Sequence, residues 1–250
     1  MIDKIDLSIK AASIRKKLGE DESSPINIFA LAHTINSLTL VFYPLGQNIS
    51  GACIKSNLSS IIAINSGMSA GRQRFSLSHE LYHLFFDTGM SSSICSSKIG
   101  SGNKKEKEAD QFASYLLMPP TALYDMIRSC KNSDNRKLTM MEIVKLEQYF
   151  GVSRQAMLFR LQSENEITPT EAANMQKDVI LSAARFGFDT ALYKPLPEDK
   201  KRCVYGHYIQ QAEKLLQADM ISTGKYEELL LDAFRDDIVF GDEEGGETVD

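Results

Sequence analysis

The 250 residues can bury a full core in one large or two small domains, and the balance of 43% hydrophobic to 24% charged residues is that of an ordinary globular chain. Lys+Arg 28 against Asp+Glu 33 leaves a net charge of −5, and the last ten residues alone carry five acids and no base. The remainder is formally neutral, which excludes a global basic footprint for nucleic acid. No apolar run reaches membrane-spanning length, the opening MIDKIDLSIK lacks the apolar centre of a signal peptide, and Cys53, Cys95, Cys130 and Cys203 form no CxxC pair. A cytoplasmic, reducing compartment is the expectation.

In chain order, Asp6 to Leu18 reads as an amphipathic helix with Ile9, Ala12, Ile14 and Leu18 as core contacts. Ser24-Pro25 signals the start of a second helix carrying Ile28, Phe29, Leu31, Ala32 and Ile35. Three short strands follow, Leu38–Tyr43, Ser50–Lys55 and Ser60–Asn65, broken by polar turns and expected to form a small antiparallel sheet. An edge strand of such a sheet can bind an extended peptide through its backbone.

The next helix, capped by Ser69 and closed by Asp87-Thr-Gly89, contains His79-Glu80-Leu81-Tyr82-His83. Residues four apart on a helix stack one above the other, so His79 and His83 can face one ion while Glu80, about 100° round, reaches a water beside it. This is the HExxH arrangement of a zinc hydrolase, with Glu80 as proton acceptor. A third ligand is needed, and Glu106 supplies it in the following helix, with Asp110 one turn later to orient a liganding imidazole. Two alternatives stand beside it: Glu106 as the capping-box partner of Asn103, and Glu108 as a rival ligand about 200° away around the helix. The segment between Gly89 and Asn103 reads as an aperiodic loop bordering the cleft. Its Cys95 is either a surface thiol or a thiolate able to occupy the open position. Tyr82 and Tyr115 are candidate oxyanion donors and, equally, packing residues. His33 and His207 lie far from the motif and read as structural or solvated.

Thr139-Met-Met-Glu142 opens a helix to Phe150, and Gly151-Val-Ser153 turns into another, Arg154 to Gln162, in helix-turn-helix order. Arg154, Gln155, Arg160 and Gln162 are thin equipment for reading DNA, and docking or structure is favoured. Thr170 is expected to cap a helix to about Phe186, with further helices over Val204–Leu216 and Gly224–Phe234. Asp236-Asp237 and the acidic tail read as solvated and disordered.

The stretches RQRFSLSHELYHLFF and EKEADQFASYLLMP, with YPLGQNISGACIK, IIAIN and LEQYFGVSRQAMLFRL, resemble the ImmA/IrrE-type metallopeptidases over roughly residues 25–165. The resemblance implies a zincin-like core in an α+β fold and zinc as cofactor, with manganese as an alternative ion. It further implies His79, His83 and Glu106 as ligands, Glu80 as the catalytic glutamate, and a helix-turn-helix repressor of a mobile element or stress regulon as substrate. The expected organisation is a metallopeptidase core over 1–136 with the HExxH helix beside the sheet, a helix-turn-helix-like segment over 137–168, a helical region over 169–240 and an acidic tail over 241–250. Two rival readings are a non-cleaving, metal-stabilised binding module of toxin–antitoxin type and a direct DNA-binding regulator.

Overall fold

A computed structural model describes residues 2–89, 91–131 and 136–241, apart from the side chain of Asp199; the expectation for the acidic tail lies outside them, except for Gly241. The fold is α+β: twelve α-helices and one five-stranded sheet among the described residues. No helix among them is long and apolar enough to cross a membrane.

Helix α1 (Lys4–Lys17) starts at Asp3, whose carboxylate accepts the N–H groups of Ile5 and Asp6. It buries Leu7, Ala11, Ile14 and Arg15, whereas Ile9 stays 63% exposed against expectation. The reason is Arg15. Its guanidinium donates to Leu116 O at 2.6 Å and Asp21 O at 2.7 Å, and this fixes the rotation of the helix. Helix α2 (Ile28–His33) is capped by Asn27, whose side chain accepts the Ala30 N–H, so Ser24 and Pro25 precede the helix they were expected to open and Ile35 follows it.

The three predicted strands are present as β1 (Leu38–Tyr43), β2 (Ile49–Lys55) and β3 (Ser60–Asn65). The pairing is mixed, however: β2 runs antiparallel to β3, but β1 lies parallel to it. Two strands appear where none was expected. Residues Ser92–Ser96 form β4 on the outer side of β2, inside the supposed loop. Residues Cys203–Gly206 form β5, antiparallel to β1, where a helix was expected to begin at Val204. The order is β4-β2-β3-β1-β5. Gly206 ends β5 at φ 84°, and a Cβ there would stand 2.5 Å from Leu38 O, so only glycine fits the turn.

Helix α3 (Ala70–Phe86) packs on β2 and β3 and against α4 (Lys104–Leu117). The apolar stripe of α4, Ala109, Phe112, Ala113, Leu116 and Leu117, is wholly buried. Met118 and Pro119 separate α4 from α5 (Pro120–Lys131), which opens on Pro120. Helices α6 (Met140–Phe150) and α7 (Arg154–Ser163) meet at left-handed Gly151, and Ser153 caps α7. One hydrophobic core runs from Leu7 in α1 to Ala172.

Beyond α7, the cap is Thr168 rather than Thr170, because Thr168 and Glu171 close a capping box with Pro169 at the first helical position. The predicted single helix is two, α8 (Pro169–Met175) and α9 (Val179–Arg185), broken at Asp178 with φ 52°. Helices α10 (His207–Gln217), α11 (Thr223–Asp232) and α12 (Asp236–Phe240) follow. Asp236 and Asp237 are exposed as expected but sit in helix α12 rather than in a disordered stretch, and Asp237 accepts both Arg235 Nε and Nη2.

The α6 capping box gives a pH prediction. Burial alone would raise the Glu142 carboxyl, but Arg136 and the N–H and hydroxyl of Thr139 outweigh it and hold it at about 2, against the ordinary 4.5. A carboxylate depressed in the folded state contributes stability above its unfolded pKa and loses it as pH falls through the folded value. The urea midpoint should therefore drop between about pH 4.5 and 2, and Glu142→Gln should flatten that part of the profile.

Candidate metal centre

Three elements build the site. Helix α3 brings His79, Glu80 and His83, α4 brings Glu106 and Asp110, and β4 brings Cys95. All but Glu106 are buried, Glu80 completely.

The imidazoles face each other through Nε2, 3.3 Å apart. His79 Nε2 lies 3.3 Å from Glu106 Oε2 and His83 Nε2 lies 3.4 Å from Glu106 Oε1. Each Nδ1 is turned the other way, onto a carboxylate: His79 to Asp110 at 2.8 Å and His83 to Asp87 at 3.4 Å. Donating Nδ1–H to an acid leaves the Nε2 lone pair free, the tautomer a metal ligand requires. Asp110 also accepts the Gly100 N–H at 2.6 Å, and Asp87 accepts Lys105 Nζ at 2.5 Å. Lys55 of β2 donates to His83 O at 2.8 Å and to Asp87 O, tying the sheet to the end of α3.

Asp87 was read only as the close of α3. Its signal was in plain sight, since it stands four residues after His83 as Asp110 stands four after Glu106. The competing readings of Glu106 coexist in part: Asn103 caps its backbone N–H at 3.1 Å, while its carboxylate goes to the histidines. Glu108 instead accepts Tyr82 OH at 3.0 Å, away from the cluster. That commits Tyr82, and Tyr115 lies under Arg160 at 4.1 Å. His33 stacks edge-on against Tyr205, and His207 opens α10.

Electrostatics divide the groups. Burial opposes a charge on His79, but Asp110, then Cys95 and Glu106, outweigh it and raise its pKa well above 6.5. Burial and the neighbouring His79 push His83 down, because two facing imidazoles cannot both be cations. The His79 contact holds Glu106 below the usual carboxylate range. Burial lifts Glu80 to about 7, with His79 pulling against it, and lifts the Cys95 thiol to about 12.

Two features fit a bound cation. A tetrahedral ion with bonds of about 2.0–2.1 Å to nitrogen and oxygen has its donors about 3.3–3.4 Å apart, which is the distance between the two imidazole nitrogens and from each of them to one of the two Glu106 oxygens. Glu80 is fully buried with neither carboxylate oxygen hydrogen-bonded, a costly state unless a positive partner sits nearby. Four donors, from His79, His83, Cys95 and Glu106, lie within 4.8 Å of one another. A cleft of about 330 Å³, lined by His79, Ile94, Lys98, Asn103 and Glu106, leads to them.

Gly51 of β2 makes room for Glu80, a role the sequence did not reveal. A Cβ there would stand 2.8 Å from Glu80 Oε1 and 2.9 Å from Ala63 O. Gly51→Ala is expected to cost about 1–3 kcal/mol in thermal or urea unfolding, because the backbone oxygen cannot yield cheaply.

The helix-turn-helix segment offers little positive charge to the surface. Arg154 is buried against Glu147, and Arg160 is wholly buried. No curated protein matches the chain. Residues 37–162, just over half of it, match the model of the IrrE N-terminal-like domain of the M78 peptidases. That span contains the histidine pair, Glu106, Cys95 and four of the five strands. The chain belongs to this peptidase family.

Proposed function

We propose that the chain is a zinc-dependent endopeptidase that cleaves a helix-turn-helix transcriptional repressor and so regulates a mobile element or a stress response. One observation carries the reading: two imidazole nitrogens and a carboxylate converge at 3.3–3.4 Å beside a buried glutamate with no partner of its own. His79, His83 and Glu106 would hold the ion, and Asp110 and Asp87 would orient the imidazoles. Zinc held there would acidify water and polarise a scissile carbonyl. Glu80 then takes the proton of the attacking water and returns it to the leaving amine. The edge strand β4, beside the cleft, offers backbone N–H and C=O groups against which an extended substrate segment can pair. The choice of a repressor rests on the resemblance described above.

The test is incubation with zinc or manganese and the repressor encoded beside the gene, with products read by intact mass and a chelator arm in parallel. A single metal-dependent cut supports the reading. A stable uncut complex under all conditions would overturn it in favour of a metal-stabilised binding module. The orienting role of Asp110 has its own measure: Asp110→Ala should weaken zinc binding about 10- to 100-fold in competition with a chromogenic chelator.

A further inference from the structure

The three donors assigned above leave one position of a four-coordinate ion for water. Cys95 is the one further donor in the same cluster among the described residues. It is 1% exposed, and its Sγ belongs to the same group of donors, all within 4.8 Å of one another, as the two histidines and Glu106. Its direction is built into the sheet. Along β4 the side chains of Ser93 and Cys95 turn inward while Ser92, Ile94 and Ser96 face out. Cys95 pairs with Gly51, next to an irregularity in β2, and the Ser50 hydroxyl donates to Ser96 O at 3.0 Å, pinning the strand there. The missing side chain at Gly51, the register partner of Cys95, is what makes room for the Glu80 carboxylate beside this strand pair. Glu80, fully buried with both oxygens unpartnered, is the independent sign that a cation belongs in it.

We propose that Cys95 is a fourth metal ligand, giving the resting protein a closed site of two histidines, one glutamate and one thiolate. Coordination releases the thiol proton to solvent and changes the oxidation state of neither sulfur nor metal. Closed four-coordinate sites are inert, whereas hydrolytic ones keep a position open. Cys95 therefore latches the peptidase, and the latch opens when β4 shifts or the thiol is removed as a ligand. This inference rests on the metal site proposed above.

Cobalt(II) in place of zinc reports a thiolate ligand through a near-ultraviolet sulfur-to-metal charge-transfer band, separate from the visible bands that report binding itself. The wild-type chain is expected to give both. A variant lacking Cys53, Cys130 and Cys203 should keep the charge-transfer band, and Cys95→Ser should lose it while retaining the visible bands. At equal zinc loading, Cys95→Ser should cleave several-fold faster than wild type. Visible bands without a charge-transfer band in the wild type, or a band that survives Cys95→Ser, would overturn the fourth ligand and leave the metal centre standing. Slower cleavage by Cys95→Ser would overturn the latch. Failure to bind cobalt at all would overturn both this inference and the proposed metallopeptidase. Should Cys95→Ser not fold, the triple-cysteine variant decides alone, since any thiolate band it gives has only Cys95 as its source.

Discussion

Glu80→Gln is expected to lower cleavage about 10²- to 10⁴-fold, the usual worth of a positioned general base, while zinc affinity stays near that of the wild type. The separation of the two effects follows from position. Glu80 is one residue from His79 and about 100° round the helix from it, with its carboxylate against Gly51 and beside Cys95, so it stands next to the three assigned ligands rather than among them. Burial has already lifted its carboxyl to about 7 against the pull of His79. A base poised there both accepts a proton and gives it up again, as hydrolysis of an amide demands. Glutamine keeps the shape and removes the proton exchange. Folding should not suffer, because an uncompensated buried carboxylate is a burden that the amide relieves. Zinc titration beside a cleavage time course checks both halves. Cleavage within a few-fold of wild type by a zinc-loaded Glu80→Gln would remove Glu80 from the mechanism.

The largest effect on stability is expected far from the site, at Glu147→Leu: about 3–5 kcal/mol, a large share of the total for a chain of this kind. Glu147 is 0% exposed and pairs with Arg154 at 3%, across the turn that joins α6 to α7. The Tyr193 hydroxyl donates to the second carboxylate oxygen at 2.7 Å. Arg154 goes on to Met175 O at 2.8 Å and Ser182 Oγ at 3.0 Å, so one cation joins α7 to the segments that follow. Removing only the acid leaves that cation buried without its partner. Removing both, as Glu147→Leu with Arg154→Met, is expected to recover most of the loss, since an apolar pair of similar volume can replace a buried ion pair. Urea unfolding of the two singles and the double measures the coupling. A double-variant loss equal to the sum of the two single losses would mean the pair contributes nothing as a pair.

Much of this was legible in the residues, and what was missed shares a cause. The strands β1 to β3 announce themselves by alternating branched residues between polar turns, and the HExxH helix by its four-residue spacing. Strand β4 does not: Ser-Ser-Ile-Cys-Ser has the composition of a loop, and it is a strand only because β2 lies beside it. That one omission also left Cys95 open between a surface thiol and a thiolate at the metal, where its burial in β4 removes the first. Strand β5 was hidden because Cys203–Gly206 runs into the amphipathic pattern of α10, and the boundary is a backbone event at Gly206. The parallel pairing of β1 with β3 is likewise silent in sequence, since alternation gives the faces of a strand but not its neighbour. The capping pair Thr168 and Glu171 could have been read, and was passed over for Thr170.

The far edge of the sheet has a consequence for the chain as it is made. Strand β1 spans residues 38–43, yet the strand that covers its outer edge is not synthesised until residues 203–206. At about 5–20 residues per second, a ribosome takes on the order of ten seconds or more to cross that interval. From residue 106 onward the metal-binding half has all its donors, yet until β5 is made it carries a bare, apolar strand edge, the surface most prone to pair with another nascent chain. Residues 203–206 thus act as a late closure for a sheet begun much earlier, and the helices attached to them deliver a seal as much as a domain of their own.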